Sequence, residues 1–190
     1  MHSLGHPPDG QREPFLRGVS PAMLTLESVI GDIARTNIPV LVVGESGSGK
    51  QMFAQRIHLL SSRADEEMAK VTCASMKLEE FSAELERRGS RAVGTILFDE
   101  IGELDPACQR HLLHLLPDGD EYPRPHTLTA RVISTTSRNL DDEMRAGRFR
   151  SELFYRMNGV CLRLPPLRER KKDSPSLAEF FMVKHAMLFG

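Results

Sequence analysis

The sequence predicts an α/β domain with a five-stranded parallel sheet flanked by helices, and three observations carry that expectation. Short apolar runs alternate with helix-spaced segments from Ser20 to Leu188, the pattern of strands joined by crossover helices. One strand-to-helix junction reads Gly44-Glu45-Ser46-Gly47-Ser48-Gly49-Lys50, where glycines let successive backbone N–H groups curl around an anion. A further run, Gly94-Thr95-Ile96-Leu97-Phe98, ends in the acidic pair Asp99-Glu100. Its unbroken apolar character suits a parallel strand covered on both faces.

Taken in order, residues 1–14 are polar and proline-containing and read as a flexible leader. Ser20-Pro21 is a helix start, with an N-cap hydroxyl followed by proline at the first helical position. Met23, Leu24, Leu26, Ile30 and Ile33 then form an apolar stripe to about Arg35. Ile38–Val43 is the first strand, and helical spacing follows from Lys50 to Leu60. Lys70–Cys73 reads as a short second strand, and Lys77–Arg88 as a charged helix turning Leu78, Phe81 and Leu85 inward. After the third strand, Asp105-Pro106 caps a helix carrying Leu112, Leu113, Leu115 and Leu116. Turn residues fill Pro117–Pro125, and Arg131–Thr136 is the fourth strand. Two short helices are expected at Leu140–Arg145 and Ser151–Asn158, and the fifth strand at Gly159–Leu164. Pro165-Pro166 ends that core; Arg168–Asp173 reads as a charged linker to a last helix, Ser176–Leu188.

Composition narrows the function classes. A length of 190 residues suits one domain with a proper core. A net charge of −1 with 27 % charged residues leaves no chain-wide footprint for nucleic acid. No apolar run approaches the ~18 residues of a membrane helix, and the N-terminus has no signal-peptide core. Cys73, Cys108 and Cys161 lie far apart inside apolar segments, so buried, reduced thiols in a cytoplasmic protein are expected. His111 and His114 share a helix, but no further ligands cluster with them, and they read as surface or packing residues.

The chemistry rests on two motifs. Lys50 offers a mobile ammonium to outer phosphates, and the helix that starts there turns its positive dipole end to the loop. The next position usually holds Ser or Thr, whose hydroxyl ligates magnesium; here it is Gln51, which leaves metal coordination open. Asp99 falls at the C-terminal edge of the sheet beside the loop, where it can hold magnesium through water. Glu100 can then orient and deprotonate an attacking water. The plainer alternatives are a glycine-rich turn before a helix and a solvated acidic turn after a strand. Agreement of glycine spacing, lysine and flanking elements favours a nucleotide site. No Asn-Lys-x-Asp motif for guanine is present, which argues against a GTPase.

These motifs resemble the ATPase domain of sigma-54-dependent transcriptional activators, a branch of the AAA+ P-loop NTPases. The resemblance rests on Gly44–Lys50, Gly94–Leu104, Gly147–Asn158 and Leu164–Arg170, in that order, and runs from about Leu16 to Ala186. It implies ATP and Mg2+, with Gly44, Glu45, Ser46, Gly47, Ser48, Gly49, Lys50, Gln51 and Ser137 at the nucleotide. Asp99 would assist the metal and Glu100 would be the general base. In that family Glu usually follows the lysine, so Gln51 departs less from its relatives than from the general rule. Arg150 and Arg156 match arginine fingers that reach a neighbouring subunit's nucleotide, which implies a ring-type homo-oligomer. The local alternative for them is pairing with Glu152 or Asp142.

The departures carry expectations too. Thr72 stands where the family has an asparagine that sets the catalytic glutamate, and Ser137 where it has a sensor asparagine. Each keeps a hydroxyl and loses the amide's paired donor and acceptor. The long insertion bearing the Gly-Ala-Phe-Thr-Gly-Ala loop is absent, with only Ser75–Val93 in that interval. That implies loss of the usual contact with sigma-54 RNA polymerase. The sequence stops inside the first helix of the family's helical lid, so the lid's arginine sensor and any DNA-binding domain are expected to be missing. The division is therefore leader 1–14, AAA+ nucleotide-binding domain 15–166, and linker with a truncated lid helix 167–190. Two functional readings follow: an oligomeric ATPase, and a nucleotide-binding regulatory module without productive hydrolysis.

Overall fold

The computed structural model describes residues 18–89, 93–117 and 127–189. The expected leader lies outside them, as does the turn-rich stretch from residue 118 onward. The helices are α1 (Pro21–Ala34), α2 (Lys50–Leu59), α3 (Leu78–Gly89), α4 (Pro106–Leu115), α5 (Leu140–Arg145), α6 (Ser151–Met157) and α7 (Ser174–Phe189). The strands are β1 (Val40–Val43), β2 (Glu67–Thr72), β3 (Val93–Asp99), β4 (Arg131–Thr136) and β5 (Val160–Arg163).

All strand pairs are parallel, in the order β2-β3-β4-β1-β5. Alternation along the inner strands feeds two cores, one on each face of the sheet. Val40, Val42, Leu97, Ile133 and Leu162 pack with α1 and α2 residues such as Ile30, Phe53 and Ile57. Leu41, Ile96, Phe98 and Val132 pack on the other face with Phe81 and Leu85 of α3, Leu112 of α4 and Leu153 of α6. Each such fully buried aliphatic or aromatic side chain contributes about 1.5–3 kcal/mol. At the sheet's top, β1 and β4 end together, Val43 opposite Thr136, and the Gly44 N–H donates to the Thr136 carbonyl at 3.2 Å. The loop after β1 is thereby set beside the ends of β3 and β4.

Several expected boundaries and burials shift, each for a physical reason. β2 begins at Glu67, three residues before the expected Lys70, and ends before Cys73. It is an edge strand whose exposed positions carry Glu67, Lys70 and Thr72, so its apolar residues, Met68, Ala69 and Val71, form no continuous run. Cys73 and Cys108 are buried as expected, but Cys161 is exposed. β5 is the opposite edge, and its side chains alternate so that Leu162 faces the core while Cys161 and Arg163 point away. The expected linker is not a solvated tether: it forms two 3-10 turns, Leu167–Glu169 and Lys171–Asp173, with Arg170 buried between them and Asp173 buried at the end of the second. α7 starts directly after them at Ser174.

Candidate nucleotide site

Backbone geometry builds the loop before any side chain acts. Gly47 and Gly49 have φ of +77° and +98°, a left-handed conformation that strains any residue with a Cβ. Gly49 is the N-cap of α2 and offers no capping side chain, so the first N–H groups of α2 remain donors toward the loop.

Lys50 projects back into the loop it ends. Its side chain is buried, and Nζ donates to the carbonyls of Gly44 at 2.9 Å and Glu45 at 3.2 Å. The same ammonium pairs with Glu100 Oε1 at 3.0 Å. The second carboxylate oxygen, Oε2, accepts from Ser137 N at 2.7 Å and Ser137 Oγ at 2.9 Å. Glu100 holds φ +56°, a strained left-handed conformation for a non-glycine residue. Its N–H donates to Thr135 Oγ1 at 3.1 Å, and that hydroxyl donates in turn to Asp99 Oδ1 at 2.7 Å. Thus β3 and β4 present Asp99, Glu100, Thr135 and Ser137 as one hydrogen-bonded set. Glu100 turns to Ser137, not to Thr72, which ends β2 in register with Asp99.

A lysine outside the expected set completes this edge. Lys70 Nζ contacts Asp99 Oδ2 at 2.7 Å and donates to Gln51 Oε1 at 3.0 Å. Burial pushes the Asp99 carboxyl up, but hydrogen bonds from Lys70 and Thr135 and the nearby Lys50 outweigh it, and the pKa falls below the ordinary value. Asp99 is therefore a carboxylate at neutral pH. Its Oδ2 and the Gln51 carbonyl are hard oxygens of the kind magnesium takes, but both already meet the Lys70 ammonium. Among the described residues no cluster of three or more His, Cys, Asp or Glu could hold a metal by itself.

Beside the loop lies a cavity of about 230 Å³. Gly47, Ser48 and Gly49 of the loop, Met52 and Phe53 of α2, and Gly18 and Met23 at the start of the described chain line one part. Leu167, Arg170, Asp173 and the α7 residues Leu177, Phe180 and Phe181 line the other. A mostly apolar slot with a few fixed polar groups suits a flat ring system. Arg170 Nη2 donates to the Ser48 carbonyl at 2.5 Å, and Arg168 grips Glu45 with both Nη atoms, at 2.7 and 2.6 Å. The segment after β5 is thus fastened to the loop at two points.

Arg150 and Arg156 make their contacts away from this edge. Arg150 Nη1 lies 3.6 Å from Glu152, the local pairing weighed from the sequence. Arg156 Nη1 donates to the carbonyls of Leu113 and Leu116 at 3.1 Å each, at the C-terminus of α4. Reading the sequence missed Lys70, Arg168, Arg170, Asp173 and the cavity. Alternation along β2 puts Lys70 on the face of Thr72 and was the available signal for it; the charged stretch after Pro165-Pro166 has no spacing that separates a buried arginine from a solvated one.

Comparison with known proteins agrees with the fold. The family model described as the sigma-54 interaction domain matches residues 17–167. A Nif-specific regulatory protein of Azotobacter vinelandii is 36% identical over 193 residues, covering 90% of this chain and 37% of that protein. NtrX from Brucella abortus, solved in complex with ATP, is 33% identical with a TM-score of 0.77, covering 92% of this chain and 42% of that one. A P-loop NTPase domain of a sigma-54 activator from E. coli, at 21% identity and TM-score 0.60, shares the fold over 79% of this chain and 99% of that one. The chain spans well under half the length of the curated relatives it matches.

Proposed function

The chain belongs to the sigma-54 interaction domain family, with an AAA+ P-loop fold, and on that premise we propose that it binds ATP and hydrolyses it as part of a transcriptional regulator. The observation that carries this reading is Lys50 held between the loop carbonyls and Glu100. Those are the positions of a phosphate ligand and of the base that faces it. The loop N–H groups and Lys50 bind the phosphates, and the apolar slot between α2 and α7 takes the base. Asp99 would meet a magnesium ion brought in with the phosphates only in competition with Lys70; such an ion would add charge neutralisation there. Glu100 leaves Lys50, orients a water and accepts its proton. Arg150 and Arg156 act on a neighbouring copy's nucleotide, with Arg156 first released from the end of α4. A ring of copies in the cytoplasm, where transcriptional regulators work, completes the picture. The interval between β2 and β3 is occupied by α3, without the family's loop motif, and this supports a chain that no longer reaches sigma-54 by that route.

A second reading has its own observation. Both oxygens of Glu100 are engaged, one by Lys50 and the other by the N–H and hydroxyl of Ser137. A carboxylate with both oxygens so held is not free to meet a water, which favours a nucleotide-binding regulatory module without turnover. Phosphate release from ATP across a protein concentration series, with Glu100→Gln as control, separates the two. Turnover per subunit rising with concentration and falling about 100-fold in the variant supports the ATPase. Release no higher than the variant's, in protein that binds a fluorescent ATP analogue, supports the module and overturns the ATPase.

A further inference from the structure

Gln51 and Lys70 belong to neither a phosphate contact nor the base, yet they meet at the place where a P-loop fold holds its metal. Lys70 Nζ is 2.7 Å from Asp99 Oδ2 and 3.0 Å from Gln51 Oε1. Asp99 Oδ1 is already taken by Thr135. The Asp99 carboxylate and the side chain that replaces the usual hydroxyl therefore share one ammonium. We infer that Lys70 is an internal cation that competes with magnesium for Asp99 and Gln51, so that this site binds ATP with little dependence on a divalent ion.

The argument is electrostatic. A divalent cation placed between Asp99 and Gln51 would face an ammonium at hydrogen-bond distance from both donors, and like charges that close repel strongly in a partly buried site. Magnesium gives up its waters reluctantly and does not displace such a partner cheaply. Lys70 sits on the exposed face of an edge strand, 39% exposed, on a flexible stem. It can follow the phosphates as they arrive and supply the positive charge from within the chain. Gln51 suits this arrangement: a neutral amide oxygen accepts from an ammonium without adding charge.

The inference rests on the nucleotide-site reading, and one titration separates their failures. A fluorescent ATP analogue is titrated into the full chain with magnesium and again with EDTA, for wild type, Lys70→Met and Lys70→Arg. Wild type and Lys70→Arg are expected to differ by less than about threefold between the two conditions, whereas Lys70→Met gains a dependence of about tenfold or more. Manganese binding to the protein–ATP complex, read by EPR, is expected to be tighter in Lys70→Met. Equal metal dependence in wild type and Lys70→Met overturns the inference. No binding by wild type in either condition overturns the nucleotide site itself. Thermal melts establish that the variants are folded, and Lys70→Gln makes the same comparison if Lys70→Met is not.

Discussion

Asp173 is a single side chain that joins regions 153 and 154 positions apart, accepting from Val19 N at 2.6 Å, Ser20 N at 2.7 Å and Ser20 Oγ at 2.8 Å. Burial pushes its carboxyl up, but the Ser20 and Val19 donors and the nearby Arg170 outweigh that and hold the pKa below the ordinary value. Ser20 is the N-cap of α1, yet its hydroxyl makes no cap bond and is spent on Asp173. Because the folded pKa lies below the unfolded one, about 3.9, the ionised group stabilises the fold fully at neutral pH. That contribution fades as pH falls through the ordinary carboxylate range toward the depressed folded value. Asp173→Asn is expected to cost about 1–3 kcal/mol at pH 7. The gap in melting temperature between variant and wild type should then narrow on acidification from pH 6 to pH 3, roughly the range of carboxylate titration; a constant gap would refute the charge-based account.

At the scale of elements, one amide on α4 ties together segments on either side of it. Gln109 is 1 % exposed; its Nε2 donates to the carbonyls of Leu104 at 2.7 Å and Arg148 at 2.9 Å. Its Oε1 accepts from Arg150 N at 2.9 Å. This ties the turn after the acidic pair to the segment that carries Arg150. Gln109→Leu leaves two carbonyls and one N–H without partners in a dry region, a loss of about 2–4 kcal/mol. Urea unfolding should show a lower midpoint with an unchanged slope, and a shift equivalent to under about 0.5 kcal/mol would mean the groups re-pair. The start of α4 was legible because Asp105 and Pro106 are a local signal: the Asp105 side chain accepts from Ala107 N and Cys108 N. The start of β2 was not, because Glu67 and Lys70 are polar residues on an exposed face, and no short-range pattern distinguishes such a strand from a loop.

For the molecule as a whole, the site divides along the same line. Gly44 to Lys50 and Asp99-Glu100 could be read because each is contiguous in sequence. Lys70 with Gln51, Arg170 with Ser48, and Asp173 with Ser20 are joined only by the strand order, which no spacing encodes. The assembly proposed for Arg150 and Arg156 is testable by mixing inactive variants. Glu100→Gln keeps the fingers and Arg150→Ala keeps the site, so each alone should be about 100-fold slower than wild type. In an equal mixture about a quarter of head-to-tail interfaces pair a good site with a good finger, and turnover should recover to that fraction. Failure to recover would place Arg150 within its own subunit. The strand order also has a temporal side. Among the described residues β1 pairs only with β4 and β5, so the loop-bearing strand waits for about 90 residues of chain, roughly 5–20 s of synthesis, before it has a strand beside it. Throughout that interval Val40 to Val43 is an unpaired apolar edge, the segment on which a nascent chain of this family would most depend on chaperone shelter.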